Sequence, residues 1–126
     1  MEILRVQIPI RLISEANTTG HWTTKAKRVK DQRGTTSLIC KSKLHNKEIK
    51  LPLTVTITRI APRTLDTDNL SSSAKATRDA VADSIGINDK DERVTWLYKQ
   101  RKKLPNETWT IKEYGVEIVI TSTPTF

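Results

Sequence analysis

One cysteine, four scattered glycines and a single phenylalanine are all that this chain of 126 residues contains of those types. Each scarcity closes off a class of protein. The lone Cys40 cannot form an internal disulfide and fits a reducing compartment, so a cytoplasmic location is expected. Separated glycines supply neither a phosphate-binding loop nor a dinucleotide fingerprint, and no small-molecule cofactor is expected. Cys40 and His45 with the remote His21 fall short of a zinc ligand set. No EF-hand register fits, because Leu70 takes the fifth position counted from Asp66 and no glycine takes the sixth from Asn88 or Asp89. No apolar run approaches the roughly 18 residues of a membrane span. The N-terminus reads as a strand without a signal-peptide core.

Acidic residues are also scarce, but only in the first half. Residues 1–63 hold 13 basic and 4 acidic side chains, and residues 64–126 hold 9 and 10. The net charge of +8 therefore comes entirely from the first half. A single-sign surface of this kind favours a polyanion, either nucleic acid or an anionic membrane. A merely solvated basic face reads equally well from charge alone.

Alternation at Leu4, Val6, Ile8 and Ile10 predicts a first strand. A helix is expected from Trp22 to Leu44, with Trp22, Ala26, Val29, Thr36 and Cys40 at helical spacing. Its first turns carry Lys25, Lys27, Arg28, Lys30 and Arg33. Trp22 suits a core position better than a base-stacking one. Leu51, Leu53, Val55 and Ile57 alternate with threonines and predict a second strand. A second helix is expected over residues 69–84, capped by Asp68, with Leu70, Ala74, Val81 and Ile85 inward and Gly86 as its stop. Val94–Gln100 and Tyr114–Thr121 read as two more strands, joined by a hairpin loop over residues 101–112. Arg101, Lys102 and Lys103 lie near that loop. The expected fold is one α+β domain over residues 1–126, β-α-β-α-β-β, with a small mixed sheet and two helices on one face.

Seven of the fourteen acidic residues lie between Asp66 and Glu92. Like charges this close repel, and a cation relieves them. Oxygen-only ligands suit a hard ion such as Mg²⁺. Asp66 and Asp68 project to one side if the chain there is extended. Asp68, Ser72, Lys75 and Asp79 would share one helix face, and Asp89 returns from the loop after Gly86. Carboxylates for Mg²⁺ and a lysine for developing charge are what a metal nuclease needs. Taken singly, the same residues read as an N-cap, a surface ion pair and a polar turn.

The run Leu65-Asp66-Thr67-Asp68-Asn69-Leu70, followed by Ala74-Lys75 through Asp83 and then Ile85-Gly86-Ile87-Asn88-Asp89 with Val94, resembles the RusA family of phage-type Holliday junction resolvases. About thirty residues carry the resemblance. It implies a homodimeric, Mg²⁺-dependent endodeoxyribonuclease that resolves four-way DNA junctions in recombination and repair. It assigns Asp66, Asp68 and Asp89 to the metal and Lys75 as the essential lysine. Ser71-Ser72-Ser73 are extra relative to the founding pattern, and Asn88 stands where an Asp is common. These departures leave the reach of Lys75 and the choice of Asp89 or Asp91 open. The basic residues Lys25, Lys27, Arg28, Lys30, Arg33, Arg101, Lys102 and Lys103 would then hold the DNA backbone. Two other functions fit the same residues: a non-catalytic DNA-binding protein, and a metal-dependent nuclease for other branched nucleic acid.

Overall fold

Seven elements follow one another along the chain in the computed structural model, which describes residues 2–13, 22–45 and 47–122. They are β1 (Glu2–Ile8), α1 (Trp22–Leu44), β2 (Leu53–Ile60), α2 (Thr67–Ser73), α3 (Lys75–Ile85), β3 (Val94–Arg101) and β4 (Gly115–Ser122). The side chain of Trp22 lies outside the described residues, as do Asn17 and His21. The expected α+β class holds: three helices accompany a four-stranded mixed sheet. Among the described residues no helix is long and apolar enough to cross a membrane.

The sheet order is β1-β4-β2-β3. β4 is antiparallel to both β1 and β2, whereas β2 and β3 are parallel. Parallel neighbours need a crossover, and α2 with α3 provide it. The expected hairpin between β3 and β4 is therefore a correction. Residues 102–114 pass around the end of β2, where Ile60 is in register with both Arg101 and Gly115. The burial patterns explain the placement. β4 buries Val116, Ile118 and Ile120 and leaves no residue fully exposed, which suits a central strand. β3 exposes Thr95, Leu97 and Lys99 in alternation, which suits an edge. The connection is shaped by Glu107, which accepts from Arg101 at 2.7 and 3.0 Å, from the Leu104 amide and from Trp109 Nε1. Gly115 closes it, because a Cβ there would meet the Trp109 ring at 2.5 Å.

The core lies between the inner sheet face and the helices. Leu4, Val6 and Ile8 of β1 and Leu53, Val55 and Ile57 of β2 meet the three buried residues of β4 there. Each such side chain contributes about 1.5–3 kcal/mol through burial. The predicted bounds of α1 hold, but its buried stripe does not start where expected. Ala26 is exposed and Val29 only half-buried, while Gln32, Thr36, Cys40 and Leu44 are buried at four-residue steps. Burial pushes the Cys40 thiol up to about 11, so it serves as a packing group. The predicted second helix is divided. Ala74, at φ −95° and ψ 4°, ends α2 and starts α3.

Candidate metal and nucleic-acid site

The turn that carries Asp66 and Asp68 is clamped from both sides. Gln100 on β3 accepts from the Leu65 amide at 2.9 Å and donates to the Leu65 carbonyl at 2.7 Å. Arg59 on β2 is buried and donates to the carbonyls of Leu12 and Arg63 at 3.0 and 2.7 Å. No carboxylate faces it among the described residues, and burial lowers its pKa. Asp66 is the N-cap of α2. Its carboxylate accepts from the Asn69 amide at 2.9 Å and from Asn69 Nδ2 at 3.1 Å. Asp68, the expected cap, is instead inside the first turn, because a cap must be non-helical and the helix starts at Thr67. Both aspartates are exposed.

Lys75 does not point back to that pair. After the break at Ala74 its Nζ stands 4.0 Å from Asp79 Oδ2, and its side chain is 76% exposed. Ser72, Lys75 and Asp79 line a groove of about 330 Å³ whose far wall is Lys25, Gln32 and Arg33 of α1. Three of the four residues expected on one helix face thus meet, and Asp68 is not among them. Asp79 also borders the adjoining hollow with Asp83, Asn88 and Asp89. There Arg33 donates to Asp83 at 2.7 Å, which raises the arginine's pKa.

Asp89 is held by a different kind of contact. Gly86 ends α3 in the left-handed region, at φ 82°. The loop that follows is fastened by Arg78, a residue that sequence reasoning passed over. Arg78 Nη2 donates to the Asp89 carbonyl at 2.6 Å and Nη1 to the Tyr98 hydroxyl at 2.9 Å. Its guanidinium lies 4.8 Å from the Trp96 ring, and Trp96 Nε1 donates to the same carbonyl at 3.1 Å. The Asp89 carboxylate faces Arg78 Nε at 3.5 Å, close enough for charge attraction and outside hydrogen-bond geometry. Asp91, the alternative third ligand, accepts from Arg93 through its backbone and side chain, which depresses its pKa to about 2. Asn88 accepts from the Lys90 amide.

The two acidic positions stand apart. Asp66 enters beside Gln100 and Asp89 is tied to Trp96, and those anchors are four residues apart on β3, roughly 13 Å of extended strand. Among the described residues no three His, Cys, Asp or Glu side chains form a group that could hold a metal. Of the basic residues, Lys25, Lys27 and Lys30 are exposed on α1 and Arg28 is half-buried. Arg101 is committed to Glu107, Lys102 is exposed, and Lys103 donates to the Leu104 carbonyl at 3.3 Å. No protein-family model matches the chain, and no curated protein matches it.

Proposed function

We propose that this protein is a Mg²⁺-dependent, structure-selective endodeoxyribonuclease that resolves four-way DNA junctions by paired nicks as a homodimer. The observation that carries the reading is the exposed Asp66/Asp68 pair, within one helical turn, on a chain whose basic helix α1 faces the neighbouring groove. The donor chemistry suits Mg²⁺, which is commonly held by one or two carboxylates while substrate phosphates and water fill the remaining positions. Asp66 and Asp68 would hold the ion, and Asp89 becomes a further ligand only if the loop fastened by Arg78 moves. When bound, Mg²⁺ neutralises phosphate charge and acts as a Lewis acid. Asn69 keeps the Asp66 carboxylate oriented, the Lys75 ammonium would have to swing from its loose contact with Asp79 to offer positive charge to a departing oxygen, and the α1 lysines would hold the strand by its phosphates.

The experiment is incubation of a synthetic four-way junction with the protein and Mg²⁺, beside flap, duplex and RNA substrates. Symmetric nicks in the junction are expected, and cleavage of flaps or RNA in preference would move the assignment to another branched nucleic acid. One observation favours a second reading, a non-catalytic DNA-binding protein: Asp66 is engaged as a cap and Asp89 faces Arg78. That reading is sustained if the junction is bound tightly and no Mg²⁺ concentration produces a nick.

A further inference from the structure

The three serines inserted before Lys75 do not behave alike. Ser71 donates to the Asp68 carbonyl at 3.1 Å and Ser73 to the Leu70 carbonyl at 2.7 Å, so both hydroxyls serve their own helix. The Ser72 hydroxyl makes no hydrogen bond among the described residues, and Ser72 is exposed on the groove between α2–α3 and α1. Lys25 stands on the opposite wall and Lys75 follows at the same rim. The floor includes Val29 and Ala76, which are apolar.

Charge in this groove leans positive. Lys25, Arg33 and Lys75 bring three cations, against Asp79 inside the groove and Asp83 beside it. Arg33 is answered by Asp83, and Lys75 is held only loosely by Asp79 at 4.0 Å. Lys25 has no carboxylate partner among the described residues. A cation and a free hydroxyl across an apolar floor match a phosphodiester: oxygens for the polar walls and deoxyribose for the floor.

We propose that Lys25 and Ser72 together bind one backbone phosphate of the nucleic acid, making the inserted serine a substrate contact. The inference rests on the substrate being nucleic acid, not on cleavage. Lys25 supplies the charge and Ser72 a directed hydrogen bond, and the strand so held runs along the groove past Lys75.

The test is binding of a fluorescently labelled four-way junction in EDTA, read by anisotropy over a series of salt concentrations. Lys25→Gln is expected to make the slope of log K against log salt shallower by about one phosphate's worth, near 0.9. Ser72→Ala is expected to weaken binding roughly 10- to 100-fold, the usual yield of one hydrogen bond to a charged group, without changing the slope. In the double variant the two losses are expected to be non-additive, since both groups hold one phosphate. Lys41→Gln, on an exposed turn at the far end of α1, is expected to retain the slope. An unchanged slope in Lys25→Gln, an equal change in Lys41→Gln, or strictly additive losses would each overturn the shared phosphate. Absence of any binding would overturn it too, together with the reading it rests on. Binding with the expected losses but no nicking in Mg²⁺ would leave the phosphate site standing and remove the nuclease. Nicking with unaffected variants would do the reverse.

Discussion

Asp66 and Asp89 occupy two acidic corners that are built in opposite ways. At the first, the main chain is clamped by Gln100 and the carboxylates are exposed, one of them, Asp68, without a partner among the described residues. At the second, a guanidinium that also donates to the Tyr98 hydroxyl and an indole converge on the Asp89 carbonyl, and the carboxylate is half-buried against Arg78. An exposed carboxylate on a rigid turn is available to a ligand at little cost. A carboxylate facing a half-buried arginine must first leave it. The open corner is therefore the better candidate for chemistry and the closed corner the better candidate for holding the fold.

The largest effect that can break this contrast is on nicking. Asp68→Asn is expected to lower junction nicking in Mg²⁺ by on the order of 100-fold or more. Its thermal midpoint should stay near that of the parent, since an exposed carboxylate without a partner contributes within about 0.5 kcal/mol. Full activity in this variant would remove the open corner from the mechanism. Stability should answer in the opposite sense at the closed corner. Asp89→Ala leaves Arg78 without its counter-charge, and a loss of about 1 kcal/mol is expected in urea unfolding, as for a partly exposed ion pair. A loss at Asp89 no greater than that of Asp68→Ala would erase the distinction.

Asp66 separates the two kinds of role within one residue. Asp66→Ala removes the cap of α2 and should cost about 1 kcal/mol, whereas Asp66→Asn keeps a capping oxygen and should cost a few tenths. Both should lose nicking, because only the charged form suits Mg²⁺. Equal activity in the Asp66→Asn and parent proteins would make Asp66 a cap and nothing more.

Local pattern reached some of this and long-range pairing the rest. Alternation along residues 53–57 and 116–120 marks two strands whose inward residues are the buried ones. Their order is another matter. A connection of thirteen residues can turn back as a hairpin or step over one strand, and nothing in residues 102–114 themselves decides it. Asp66 and Asp68 stood out by spacing, but which of them caps depends on where the helix begins, and the break at Ala74 also turned Lys75 away from them. Arg78 was illegible because its role exists only when Tyr98 and Trp96 of β3 and Asp89 of the preceding loop come together around it. Arg59 falls in the inward phase of Leu53, Val55 and Ile57, so alternation marks its burial, but the Leu12 and Arg63 carbonyls that it holds come from the chain outside β2.

The smallest expected effect concerns acid. Glu107 titrates at about 2 in the folded protein against an ordinary 4.5, held down first by its hydrogen bonds from Arg101. Asp91 titrates at about 2 against 3.8, held down by Arg93. A depressed carboxyl stabilises the fold above its unfolded pKa and ceases to do so as pH falls through the folded one. The window is therefore from about 4.5 down to about 2 for Glu107, and from about 3.8 down to about 2 for Asp91. Arg101→Gln should flatten the decline of the thermal midpoint across that range, and Arg93→Gln should flatten it less. The difference follows from screening, because Arg93 is 64% exposed and Arg101 only 32%. A larger response in Arg93→Gln would mean that the loop carrying Asp89 owes its shape to Asp91 and Arg93 as much as to Arg78, and the closed corner would then have two fastenings instead of one.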